Sequence, residues 1–232
     1  MKKIFKKVCN ITLLSILLIG VTYFSLAPAV IQAVYPNPGP VSITASLSVT
    51  KEIDITAPGN PTLLPSILGM TGNYLAPASA TAAFTVISNA AGGFDMKIYA
   101  SQAHALYLGT PSDQYFADYV PVAGALATPD ATWTSPASFT AWFGYSVAAG
   151  TSADADQMFK FSGTCNNGAG SNTSTNCFQG MTTTPGTRII HRTSYTSSTG
   201  QVETVKFLAE SRQAFLKEGT YSATITATVA DN

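Results

Sequence analysis

Charged side chains are scarce in this chain. Lys, Arg, Asp and Glu make up 10% of its 232 residues, and the formal net charge at pH 7 is zero. A chain without a basic surplus gives no electrostatic case for nucleic acid as a partner. Histidine is almost missing: His104 and His191 stand alone, with no second His, Cys or carboxylate at metal-ligand spacing, so neither a metal nor another cofactor is expected. Cysteine occurs three times, as Cys9, Cys165 and Cys177, without the Cys-x-x-Cys spacing of redox sites. No amphipathic helical pattern longer than two turns occurs, and no apolar run of spanning length follows the first 33 residues. Hydrolytic chemistry also lacks a constellation. Gly144-Tyr145-Ser146-Val147-Ala148 has the outline of a nucleophile elbow, but it closes a strand-like segment where that motif needs a strand-to-helix turn. Asp113 and Asp118 flank Tyr115 and Phe116, and Asp154 and Asp156 stand two apart. Neither pair comes with the remaining groups of a glycosidase or a calcium loop. No catalytic residue is assigned, and the chain is read as a non-enzyme.

The N-terminus is better defined. Lys2, Lys3, Lys6 and Lys7 precede an apolar run from Ile11 to Leu26, followed by Pro28 and the small-residue exit Ile31-Gln32-Ala33. This is a secretory leader pattern over residues 1–33, with cleavage after Ala33 or after Ala29. The other reading is an uncleaved anchor helix, since the run approaches the roughly 20 residues that span a bilayer. In that case the N-terminal segment is the only membrane contact. Pro36, Pro38, Gly39 and Pro40 then form a stiff lead-in over residues 34–40. Beyond Ala33 the chain has eight Lys and Arg against twelve Asp and Glu, a net charge of −4, and 48 of its 199 residues are Ser or Thr. Solvent-facing positions are thus filled by hydroxyls. The destination expected is the cell surface or the medium.

Residues 41–232 read as one all-β domain, an antiparallel β-sandwich of Ig-like or jelly-roll-like kind. From Val41 to Ile55 apolar residues fill every odd position but Lys51, while Ser, Thr, Glu and Asp fill the even ones. A period of two predicts one long half-buried strand. Tyr221 to Val229 repeats the alternation at the far end, and the two segments are expected to be the first and last strands of the sandwich. Between them strands are predicted over Thr81–Ser88, Phe94–Ala100, His104–Leu108, Phe139–Val147, Met158–Ser162, Arg188–Tyr195 and Val202–Glu210. The loops at 89–93 and 196–201 have hairpin length. Thr62 to Thr71, broken by Pro65, predicts an edge or a connection, Gly150 to Asp156 a turn, and Ser211 to Glu218 one helical turn. Pro111 to Pro136 predicts a long irregular stretch.

Cys165 and Cys177 bracket an Asn-, Gly-, Ser- and Thr-rich segment, and in an exported chain they predict one disulfide stapling a surface loop. The aromatic residues are the remaining candidates for binding. Trp133 and Trp142, with Tyr115, Phe116 and Tyr119, suggest a platform on which sugar rings stack; the competing reading is that these rings pack under the Pro-rich stretch.

The closing run Gly219-Thr220-Tyr221-Ser222-Ala223-Thr224-Ile225-Thr226-Ala227-Thr228-Val229, together with the leader and the Thr- and Ala-rich strands, resembles the ends of bacterial surface sandwiches such as fimbrial subunits and WxL-type wall-binding domains. The resemblance covers about a dozen residues. The Trp-x-Leu motifs of the wall-binding family are absent, since Trp133 is followed by Thr134-Ser135. It implies a non-catalytic surface, adhesin-like or appendage role, with self-assembly or other surface proteins as partners. The alternative is a secreted carbohydrate-binding module using Trp133, Trp142, Tyr115 and Tyr119, with glycans as partners.

Overall fold

The computed structural model describes residues 44, 46–70, 76–110, 112–122 and 128–232. The expected leader, the Pro-rich lead-in and Val41 to Ile43 lie outside the described residues. The chain divides into two units, Met1–Val49 and Thr50–Asn232. In the first unit, Thr44 and Ser46 to Val49 have no regular secondary structure, and Leu47 and Val49 are 90% and 78% exposed.

Among its described residues the second unit holds eleven strands: β1 (Ile53–Thr56), β2 (Ala78–Ser88), β3 (Phe94–Ala100), β4 (Leu106–Leu108), β5 (Gln114–Asp118), β6 (Ala141–Ala148), β7 (Gln179–Gly180), β8 (Thr187–Arg192), β9 (Gln201–Ser211), β10 (Tyr221–Ser222) and β11 (Ile225–Asp231). Its only helical pieces among the described residues are two 3-10 turns, Ser152–Asp154 and Gln157–Phe159. The larger sheet runs β1-β2-β9-β6-β5-β4-β10, with β7 beside β6. All its pairings are antiparallel except β5 with β6. The smaller sheet is antiparallel, in the order β11-β3-β8.

Alternation decides which face is buried. Ala82, Phe84 and Val86 of β2, Phe143, Tyr145 and Val147 of β6, and Val205, Phe207 and Ala209 of β9 form one cluster with Phe94, Met96 and Ile98 of β3 and Ile189 and Ile190 of β8. One core thus lies between the two sheets. Burying each such side chain is worth about 1.5–3 kcal/mol, enough to set the register of the long strands.

Several expectations change here. Of the long strand expected over Val41–Ile55, the described residues form only β1, Ile53–Thr56. Its ladder uses only Thr85 to Ser88 of β2, and just upstream the Asn89 side chain replaces a strand partner. Asn89 Oδ1 accepts from Glu52 N at 2.7 Å, and Asn89 Nδ2 donates to Thr50 O at 3.0 Å. The closing segment is two strands in different sheets, β10 on β4 and β11 on β3. Neither short loop makes a hairpin: β2 and β3 lie in different sheets, as do β8 and β9. Both members of each pair carry apolar residues toward the same core, so they face each other across it instead of pairing. At the first loop Gly93 has φ +78°, and a Cβ there would lie 2.1 Å from Arg192 O, so the turn requires glycine.

Met158–Ser162 is no strand. Asp156 caps the 3-10 turn at Gln157–Phe159 by accepting from Met158 N, which buries Phe159. Ser211–Glu218 has no helical turn; Leu216 N donates instead to Gly69 O. The Pro111–Pro136 stretch contains β5. Phe139 stands outside its predicted strand, with φ +66° and 76% exposure, because the strand begins at Ala141.

Candidate functional site

On β6 and β9 the positions facing away from the core are Trp142, Gly144 and Ser146, and Leu208 and Glu210. The register sets Trp142 opposite Glu210 and Gly144 opposite Leu208. A second apolar cluster covers them: Tyr119, Phe178 and Leu208 are buried, with Trp133 and Trp142 half-buried against them. Tyr119 is fixed by its own N–H, which donates to Phe143 O at 2.7 Å just past the end of β5. Gly144 makes room for it. A Cβ at that position would meet Tyr119 Cβ and Gln179 O, both at 2.7 Å, and Trp133 Cζ3 at 3.1 Å.

The rings are ordered around Tyr119. Trp133 stacks on it with centroids 4.6 Å apart, and Trp142 meets it edge-on at 5.2 Å. Phe178 meets Trp133 edge-on at 5.7 Å. Two of the cluster's polar ring atoms, Tyr119 OH and Trp133 Nε1, are paired with carboxylates. Tyr119 OH donates to Asp130, whose carboxylate also accepts from Val122 N. Trp133 Nε1 donates to Glu210 Oε2 at 2.7 Å, and Arg212 Nε lies 3.8 Å from Glu210 Oε1. Burial pushes the Tyr119 hydroxyl up to about 12, and its bond to Asp130 adds to the rise. The phenol therefore stays protonated as a donor at neutral pH. Asp130 and Phe178 exchange backbone hydrogen bonds at 3.0 and 2.9 Å, which ties the segment after Tyr119 to the end of the cysteine loop.

Three of the five aromatic residues singled out in the sequence, Tyr119, Trp133 and Trp142, therefore converge on the outer face of the larger sheet. Tyr115 does not join them. It stacks on His104 at 3.8 Å and pairs with Tyr107 across β4 and β5. Phe116 points the other way, into the main core. Packing already uses one face of Trp133 and its N–H, so only the half-exposed remainders of Trp133 and Trp142 are left for a ligand. Asp130, Phe178 and Glu210 were not legible as members. Glu210 sits at an outward position of its predicted strand, but which residue it faces depends on a register no local pattern reveals.

The other candidates lie apart. Cys165 and Cys177 form the disulfide, with Cα atoms 5.6 Å apart. Ser146 is buried and donates to Ser174 O at 2.6 Å, under the cysteine loop, so its hydroxyl is a clamp for that loop. Asp154 pairs with Arg192 at 2.5 Å and Asp156 with Arg188 at 2.6 Å, so the two carboxylates serve two guanidinium groups. Asp113 pairs with Lys217 at 3.2 Å. Asp118 accepts from the backbone of His104 and Ala105; burial raises its pKa, against those two bonds. His191 Nδ1 lies 2.7 Å from Asp95 Oδ1 on the outer face of the smaller sheet. Among the described residues no three His, Cys, Asp or Glu side chains gather where they would hold a metal ion.

A scan against protein-family models gave no match, and searches of curated proteins and of solved structures found no match either.

Proposed function

We propose that this chain is an exported, non-catalytic surface or appendage subunit, and that its two sheets make an Ig-like or jelly-roll-like β-sandwich. The disulfide supports an oxidising destination, as do the leader pattern and the hydroxyl-rich solvent faces. The observation that carries the reading is the edge of the smaller sheet. Among the described residues β11 pairs only with β3, in an unbroken seven-residue register, and its Ile225, Ala227 and Val229 are only partly buried against the core. It contains no Pro, Lys or Arg, the residues that commonly blunt a sheet edge, while β1 lies close to it and Lys51, just before β1, pairs with Asp231 at its end. Such an edge accepts a strand from a neighbouring copy or from another surface protein. The strand-like, Pro-flanked stretch that begins at Val41 in another copy is one donor.

Native mass spectrometry and light scattering over a concentration series test this, together with inspection of cells for polymers. Concentration-dependent oligomers are expected. A monodisperse monomer at high concentration, with no polymer on cells, counts against assembly.

The convergence of Tyr119, Trp133 and Trp142 favours a second reading, a carbohydrate-binding module. It predicts a change in tryptophan fluorescence with at least one member of a glycan panel. Unchanged emission across the panel disposes of it.

A further inference from the structure

Glu203 occupies a position where the strand pattern calls for an apolar side chain. On β9 it belongs to the inward series with Val205, Phe207 and Ala209, and its register partner on β2 is Phe84. It is 0% exposed. Oε2 accepts from Gly150 N at 2.9 Å, while Oε1 is buried without a hydrogen-bond partner. Two charges act on it with opposite sign: Asp154, from the 3-10 turn after β6, and Arg192, from the end of β8. Arg192 is already engaged. Nη1 donates to Asp154 at 2.5 Å, Nε to Ser194 O at 2.9 Å and Nη2 to Tyr195 O at 3.0 Å. One guanidinium thus holds the turn at 152–154 and the loop at 194–195.

We propose that Glu203 is a proton-operated latch for the Gly150–Asp156 turn: protonated, it sits neutral in the core with the turn docked over it; ionised, it holds a charge in apolar surroundings with one oxygen unpartnered, and the turn loosens to let water reach it. The proposal stands on the inward position, the unpartnered oxygen and the bond from Gly150 N, independently of the surface-subunit reading. Burial pushes the Glu203 carboxyl up to about 7, further raised by Asp154 and opposed by the Gly150 N–H and Arg192. A carboxyl whose pKa rises on folding binds more protons folded than unfolded. Its contribution therefore runs one way: stability is highest at acid pH, falls as pH climbs from the ordinary glutamate range toward 7, and levels off above that. The other charged groups near this end are Asp156, Arg188, Asp95 and His191, linked through Arg188 and Asp95. His191 precedes Arg192 in β8 and therefore needs its own control.

The test is amide hydrogen exchange of the full-length chain from pH 5 to 9, corrected for intrinsic exchange and read over Ala149 to Asp156. Protection in that segment is expected to fall roughly tenfold as pH climbs toward 7, with the midpoint of the fall below 7 and a plateau above it, as a local opening distinct from global unfolding. Glu203→Gln should abolish the pH step, and His191→Gln should leave it in place. Asp154→Asn removes a negative neighbour and should move the midpoint to lower pH, an outcome that remains readable if the Gln variant fails to fold. Flat protection in the parent chain, a step that survives Glu203→Gln, or a midpoint unmoved by Asp154→Asn would each overturn the latch.

Discussion

β6 and β9 run side by side at the centre of the larger sheet, and together they break the usual rule on both of its faces. Their inner face is an apolar layer of Phe143, Tyr145, Val147, Val205 and Phe207, interrupted by Glu203. Their outer face, where water is the default neighbour, carries Trp142 and Leu208 beneath Tyr119, Trp133 and Phe178. The inner layer joins two sheets and makes the fold. The outer layer joins one sheet to a Pro-rich segment and to the end of the cysteine loop. The difference teaches where to look for adjustable parts: the inner cluster is redundant and continuous, whereas the outer one depends on a few rings and two carboxylates.

That contrast can be broken from either side. Phe143→Ala on the inner face should cost the most, about 3–5 kcal/mol, through lost transfer energy and the cavity left behind; chemical denaturation would show it. Removing the disulfide with Cys165→Ser and Cys177→Ser should cost about 3 kcal/mol in the chain-entropy account. Reduction should also alter Trp133 emission before the global transition, because Phe178 follows Cys177 directly and packs on that ring. Trp133→Phe keeps a ring on Tyr119 but deletes the donor to Glu210, leaving a buried carboxylate oxygen short of its partner; a loss of about 1–3 kcal/mol follows. If it costs as much as Phe143→Ala, the two faces are one cooperative unit and the contrast fails. The smallest effect on stability belongs to the edge. Ala230→Lys adds a cation to an exposed position of β11 beside Asp95 and should change stability by no more than about 0.5 kcal/mol. It should also reduce any concentration-dependent association.

Strand identity was legible wherever alternation was strong. Phe94–Ala100 matches β3 residue for residue, and Thr81–Ser88 and Val202–Glu210 lie within β2 and β9. Pairing was not legible. Local pattern tells which face of a strand is greasy but not which sheet it enters, so the loops at 89–93 and 196–201 looked like hairpins although they cross the core. Alternation also overreached at Leu47 and Val49, which have the period of a strand without a ladder to join. For the candidate site, the aromatic residues were visible as types, but their convergence depends on β5 lying parallel to β6. Tyr115, only four residues from Tyr119, was lost to His104 because β4 holds that histidine's segment beside it. Glu203 was hidden by its own strand: its inward position was readable, its lone hydrogen bond to Gly150 was not.

The last stretch of the chain has a mechanical consequence. Tyr221–Ser222 belongs to the larger sheet, and after Ala223 and Thr224 the backbone enters the smaller one as β11. Antiparallel ladder bonds lie across the strand direction. A pull along β11 therefore loads its seven pairs with β3 together, in shear, and any slack must first come out of the crossing at Ala223–Thr224. An appendage built from such subunits would resist tension through this single seam before its hydrophobic interior felt any strain.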